Sequence, residues 1–149
     1  MGVHPSHSTW KLCLLNKEYH ICQSYPSHVI VASALDSNNS IKGNIISRAA
    51  SFRSENRFPA LSWGNSNDAA SIWRCAQPKV GLQSTRSSPD EMYLKSIAEA
   101  VVLLSDKKLD MRNTFLKIFD LRSKTSAMAN RTSGYGYENI ANYPYASLT

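Results

Sequence analysis

The order of hydrophobic patterns along this chain predicts an α/β fold. Three observations carry that expectation. A β-branched run stands at Val29-Ile30-Val31, a helix start at Ser88-Pro89-Asp90-Glu91 leads into apolar residues at helical spacing, and a second extended run stands at Phe115-Leu116-Lys117-Ile118-Phe119. Strands alternating with helices bury both kinds of element in one layered core. The length, 149 residues, fits a single domain.

Residues 1–9 are rich in His, Ser and Pro, lack apolar periodicity and read as a disordered leader. The segment from His28 to Ser33 suits a buried strand, bounded by Pro26 and by the turn-forming Asp36-Ser37-Asn38-Asn39. From Ser40 to Arg53 the apolar positions Ile41, Ile45, Ile46, Ala49 and Phe52 recur at helical spacing, with Ser40 placed to cap. Gly43 lowers that helix's stability by about 1 kcal/mol relative to Ala. Pro59 to Trp63 and Ala70 to Cys75 flank the turn residues Gly64-Asn65-Ser66-Asn67-Asp68, the pattern of a β-hairpin.

The start of the next helix has the most local support. Ser88 is placed to cap, Pro89 suits the first helical position, and Glu91 can close a capping box. Tyr93, Ile97, Ala100, Val101 and Leu104 then share one face. A polar loop over Ser105 to Thr114 reads as a surface insertion before the second strand. A short Ala-rich helix follows from about Lys124 to Asn130, and Gly134-Tyr135-Gly136 breaks it ahead of a Tyr-rich tail.

The 17 Lys and Arg against 11 Asp and Glu give +6 at pH 7, a balance that favours anionic partners. The basic residues are scattered from Lys11 to Arg131 and read as a solvated surface, without the aromatic and basic ribonucleoprotein pattern of an RNA binder. No nucleic-acid partner is therefore expected. Cys13, Cys22 and Cys75 are odd in number and form no Cys-x-x-Cys pair, which points to a reducing, cytoplasmic compartment. The first residues lack the basic and apolar regions of a secretory signal, and no run reaches the roughly 18–20 apolar residues of a membrane span. Gly2 and Ser6 meet a loose myristoylation pattern, with Pro5 beside them favouring coincidence. His4, His7, His20 and His28 lie near Cys13 and Cys22 but at no zinc-ligand spacing, so no metal and no cofactor are expected.

Further motifs lie in the middle and at the end of the chain. Phe52-Arg53 opens a stretch that continues through Arg57-Phe58-Pro59-Ala60-Leu61-Ser62-Trp63 to Trp73-Arg74-Cys75-Ala76-Gln77-Pro78, with Asp90-Glu91 downstream. Ala127-Met128-Ala129-Asn130-Arg131-Thr132-Ser133-Gly134-Tyr135-Gly136-Tyr137-Glu138 closes the series. Together these resemble the phosphatase domain of the myotubularins, over Trp10 to roughly Tyr145. At its start, Trp10-Lys11, Asn16, Tyr19, Cys22 and Tyr25-Pro26 match the spacing with which that domain begins.

The resemblance implies residues 10–149 as the N-terminal portion of a cysteine-phosphatase-like domain, a mixed sheet with flanking helices. It implies a parent reaction, removal of the 3-phosphate from phosphatidylinositol 3-phosphate or 3,5-bisphosphate through a cysteinyl-phosphate intermediate. Such chemistry needs a thiolate and an Arg at the two ends of a Cys-x5-Arg loop that wraps one phosphate. Six residues beyond Cys13, Cys22 and Cys75 stand Tyr19, His28 and Gly81, so no cysteine here meets that spacing and no catalytic residue is assigned. These 149 residues are expected to be inactive alone.

Asn130 matches an Asn of the family's phosphoinositide pocket and is the one substrate-binding residue the resemblance implies. An amide can both donate to and accept from inositol hydroxyls or phosphate. Read without the resemblance, Asn130 ends a helix in the left-handed conformation that Asn tolerates. Three positions depart from the family pattern: Tyr135 for the middle Gly of a Gly-Gly-Gly run, Leu121 for the small residue of Asp-Ala-Arg, and Ala32 for a Pro. The implied partners are phosphoinositide lipid and other myotubularins, by homo- or hetero-association. The implied location is the cytoplasm, peripheral on endosomal membranes. The alternative is a non-catalytic regulator, or pseudophosphatase, that associates with active myotubularins.

Overall fold

A computed structural model describes residues 9–35, 40–65, 70–104 and 116–149; side chains at 40–44 and 101–104 are not described. Of the expected leader over 1–9, Thr9 is described and buried, its carbonyl accepting from Ser33 N at 2.9 Å. Residues 1–8, the turn at 36–39, the hairpin tip at 66–69, the loop at 105–114 and Phe115 lie outside the described residues. So do the proposed cap at Ser40 and the side chains of Val101 and Leu104.

Strands β1 (Trp10–Cys13) and β2 (Val29–Ala32) pair antiparallel, with Trp10 opposite Ala32 and Cys13 opposite Val29. β2 lies where the β-branched run predicts a strand, whereas β1 is a strand that the sequence pattern does not announce. Between them, the buried side chain of Asn16 staples the connecting loop. Its Nδ2 donates to the carbonyls of Cys22 and Pro26 at 3.0 and 2.8 Å, and its Oδ1 accepts from Cys22 N at 2.8 Å. A side chain that meets the backbone's hydrogen bonds lets an irregular loop be buried.

Helix α1 (Ser40–Ser51) forms where the apolar spacing predicts, with Ile46, Ala49 and Ala50 buried on one side and Ser47 and Arg48 exposed. It packs against α2 (Ser88–Leu104), whose Tyr93, Leu94, Ile97, Ala98 and Ala100 are buried. The expected hairpin is present as β3 (Ala60–Gly64) and β4 (Ser71–Arg74), with a register shift between Leu61 and Trp63. Gly64 lies under the ring of Trp10: a Cβ there would sit 2.5 Å from the indole, so only glycine admits this packing.

Phe58 joins the layers. Its ring meets Tyr25 and Tyr93 edge-on at 5.4 and 6.3 Å, the offset geometry that aromatic quadrupoles favour. The hydroxyl of Tyr93 donates to Pro59 O at 2.6 Å, and that of Tyr25 to Phe58 O at 3.0 Å. Burial, with the Cys75 and Cys22 sulfurs adding to it, pushes the Tyr25 pKa up to about 12.

Strand β5 (Leu116–Ile118) runs parallel to β6 (Ala146–Leu148), with α3 (Lys124–Thr132) in the crossover. Among the described residues the strands thus form three two-stranded ladders, two antiparallel and one parallel, flanked by helices in a mixed α/β arrangement. β6 was not legible in the Tyr-rich tail.

The start of α2 differs from expectation in one detail. Ser87, not Ser88, supplies the capping oxygen: its Oγ accepts from Asp90 N at 3.4 Å and its carbonyl from Glu91 N at 3.0 Å. Glu91 does not close a box but pairs with Arg86, at 3.0 and 2.9 Å. Ser87→Ala is expected to cost about 1 kcal/mol of stability, and Ser88→Ala, at an exposed position, less than about 0.5 kcal/mol; urea unfolding of the two variants measures the difference.

Candidate functional site

The apolar stripe of α1 continues past its last turn. Seven residues after Ile46 stands Arg53, fully buried, at a position where spacing alone predicts an apolar side chain. Its guanidinium meets Asp90 in a fork, Nε to Oδ1 at 2.7 Å and Nη2 to Oδ2 at 2.6 Å. Nη1 donates to Glu138 Oε1 at 2.5 Å and to the carbonyl of Ala76 at 3.0 Å. Tyr143 adds a hydroxyl to Asp90 Oδ2 at 2.9 Å. Burial works against the charge on Arg53, and the surrounding Cys75, Asp90 and Glu138 override it, so its pKa stands well above the usual value. Planar bidentate pairing suits arginine and would not be reproduced by lysine.

A second arginine lies on the other side of the same segment. Arg122 grips Asp120 through Nε at 2.8 Å and Nη2 at 2.5 Å, and Nη2 also donates to Gly136 O at 2.9 Å. Its Nη1 donates to Gln77 Oε1, which also accepts from Asn130 Nδ2 at 3.1 Å. Residues 75–78 are thus held between Arg53, on the carbonyl of Ala76, and Arg122, on the side chain of Gln77.

Asn130 does not end its helix. α3 continues to Thr132, with Ser123 capping its start, and Asn130 is only half-buried. The chain turns at Gly134, whose φ of +86° favours glycine. Tyr135 N donates to Asn130 O at 2.9 Å and Gly134 N to Arg131 O at 3.1 Å, the paired bonds of a Schellman motif. The backbone of Asn130 is pinned by that cap, and its side chain is turned to Gln77.

A cleft of about 340 Å³ opens beside this cluster, lined by Val80, Ser84, Thr85, Arg131, Tyr137 and Asn142 among others. Asn130 is not among its lining residues, whereas its neighbour Arg131 is, stacked over Tyr137 at 5.9 Å and bonded to Ser84 Oγ at 3.0 Å. Cys75 stands just past the hairpin. It follows β4, the residue as a whole is exposed, and its Sγ lies 3.6 Å from Arg53 Nη1. Crowding of that sulfur raises its pKa against the pull of Arg53, so the thiol is not activated. Cys13 and Cys22 are buried and free. Among the described residues no group of three His, Cys, Asp or Glu side chains could hold a metal ion, and no helix is long and apolar enough to cross a membrane.

A family profile described as the myotubularin-like phosphatase domain matches residues 1–149. The chain belongs to the myotubularin phosphatase family. It is 34% identical to the myotubularin of Xenopus laevis over 139 residues, 93% of this chain and 21% of that protein. Identity to the Rattus norvegicus myotubularin is 35% over 140 residues, 94% of this chain and 21% of that one. The phosphatidylinositol-3,5-bisphosphate 3-phosphatase MTMR2 of Mus musculus is 34% identical over 140 residues, 94% of this chain and 19% of that one. The chain spans about a fifth of the length of these relatives.

The structure accounts for the departures from the myotubularin pattern. Tyr135 follows the left-handed residue and carries no positive φ, so a side chain costs nothing in backbone strain there. Gly136 needs its lack of a Cβ, which would meet Val80 Cγ2 at 2.4 Å. Leu121 is 96% exposed between the paired Asp120 and Arg122, so its size disturbs no packing. Ala32 fits its fully buried place opposite Trp10.

Arg53→Met leaves Asp90 and Glu138 buried without their cation and is expected to cost about 3–5 kcal/mol, read as a lowered urea midpoint; a midpoint equal to the parent's would remove the pair from the core's stability. The hydrogen bond from Arg122 holds Asp120 below the ordinary aspartate range, against partial burial. A carboxylate depressed in the folded state stabilises it above the unfolded pKa and loses that contribution as pH falls through the folded one. Acidification below the ordinary aspartate range is therefore expected to free Arg122 and shift the side-chain amide resonances of Gln77 and Asn130. Asp120→Asn should abolish that transition.

Proposed function

We propose that these 149 residues form the N-terminal, non-catalytic part of a phosphoinositide 3-phosphatase domain. They contribute Asn130 to the wall that binds the inositol headgroup and hydrolyse nothing alone. The observation that carries the reading is the family match over the full chain, joined to the absence of any Cys-x5-Arg spacing within it. Hydrolysis of a phosphate monoester by a thiolate needs that loop to hold the phosphate and stabilise its charge, so turnover depends on residues other than these. The relatives named for a 3-phosphatase activity on phosphatidylinositol 3,5-bisphosphate support the lipid class. This reading puts the chain in the cytoplasm, at membranes that carry 3-phosphorylated inositides.

A second reading, a regulator that binds a catalytic myotubularin, is favoured by apolar side chains left in solvent near β5 and α3: Phe119 at 64%, Leu121 at 96% and Met128 at 63% exposure. A contiguous exposed apolar patch marks an interaction surface, and Phe119 and Leu121 stand two residues apart.

Phosphate release from vesicles containing phosphatidylinositol 3-phosphate separates these readings from an active enzyme. The chain is expected to release none, while an intact catalytic myotubularin does. Its binding to those vesicles is expected to fall roughly tenfold in Asn130→Ala. Turnover by the 149 residues alone would refute the proposal. Co-elution with a catalytic myotubularin, lost on Leu121→Asp, would favour the regulator.

A further inference from the structure

We propose that Gln77, locked by Arg122, is a positioning residue that sets which end of the Asn130 amide faces a ligand, and that this end is an acceptor suited to an inositol hydroxyl. The inference rests on the reading of Asn130 as a headgroup residue and adds what that residue recognises.

The argument is one of donors and acceptors. A guanidinium has five N–H donors and no acceptor, so the Gln77 atom that meets Arg122 Nη1 is its oxygen. An amide oxygen offers only lone pairs, so the Asn130 atom 3.1 Å from it is Nδ2. Heavy-atom positions leave an amide's orientation open; here the chemistry decides it, one residue at a time. Arg122 does not swing away, because its Nε and Nη2 hold both oxygens of Asp120 and the carbonyl of Gly136. Asn130 does not slide, because the Schellman bonds at Gly134 and Tyr135 fix its backbone.

The Oδ1 of Asn130 is thereby turned away from Gln77, and it accepts no hydrogen bond from a described residue. An acceptor left open favours a partner that donates. A hydroxyl donates; the oxygens of an ionised phosphate only accept and are repelled. The second Nδ2 proton stays available, so the amide edge matches a hydroxyl, which can both give and take. Asn130 therefore reads the inositol ring, and its contribution is to selectivity for a polyol over a bare phosphate.

The test uses the full chain with three probes: soluble inositol 1,3-bisphosphate, vesicles of phosphatidylinositol 3-phosphate, and inorganic phosphate. Gln77→Met removes the acceptor at similar volume, and Gln77→Glu keeps an oxygen toward both Arg122 and Asn130. Gln77→Met is expected to weaken inositol 1,3-bisphosphate binding roughly tenfold while leaving inorganic phosphate unchanged. Gln77→Glu should restore it. The Nδ2 proton of Asn130 that meets Gln77 should lie downfield in the parent spectrum and move upfield in Gln77→Met, where its acceptor is gone. Undiminished headgroup binding by Gln77→Met, or a parallel loss of phosphate binding, would overturn the proposal. Binding of the soluble headgroup without vesicles assigns a free inositol phosphate as ligand; binding of both assigns the lipid. Should the parent chain take neither, the headgroup reading fails and the hydroxyl half falls with it, while the amide resonances still decide whether Gln77 orients Asn130.

Discussion

Arg53 carries a full positive charge at zero exposure, and the arrangement of the described residues follows from how that charge is met. Taking a guanidinium out of water costs several kcal/mol even after relaxation, and a surface partner would not recover it. The chain answers with a forked carboxylate from α2, a second carboxylate from the segment after α3, and a carbonyl from the stretch after β4. Each partner comes from a different part of the sequence, so satisfying one side chain fixes the end of α1, the start of α2 and the approach to β6 relative to one another. Apolar contact between α1 and α2 is non-directional and would tolerate many offsets; the fork does not.

The candidate site inherits its order from that core. Ala76 is bonded to the buried arginine, and Gln77, the next residue, faces the half-buried one. Glu138 belongs to the first cluster and Gly136, two residues before it, to the second. Two short segments, 75–78 and 134–138, therefore carry polar ties on both faces. A tie on each side removes the freedom to translate or twist and holds the side chains between them in one geometry.

Much of this fold is legible in the sequence. The spacing of Ile46, Ala49 and Phe52, the turn residues after Trp63 and the run at Val29 each gave elements close to those observed, because each has a period or a punctuation that sequence displays. β1 and β6 were not, since Trp10–Cys13 and Ala146–Leu148 are three or four residues long and take their strand character from partners remote in sequence. The cap at Ser87 was lost to an adjacent serine with the better motif. The motif singles out Asn130, but nothing in it reports the hydrogen bond that its side chain makes to Gln77. Arg53, Gln77, Asp90 and Glu138 all lay inside recognised motifs, yet spacing does not report a contact 85 positions apart. A charged residue continuing the apolar stripe of α1 was the available sign.

The pairing of Arg53 with Glu138 also sets a clock. The two are separated by 85 positions, so at roughly 5–20 residues per second the ribosome delivers the second about 4–17 s after the first. Throughout that interval Arg53 lacks one of its two carboxylate partners. The polar knot around Arg53 therefore cannot be complete until the residues beyond α3 have emerged from the ribosome.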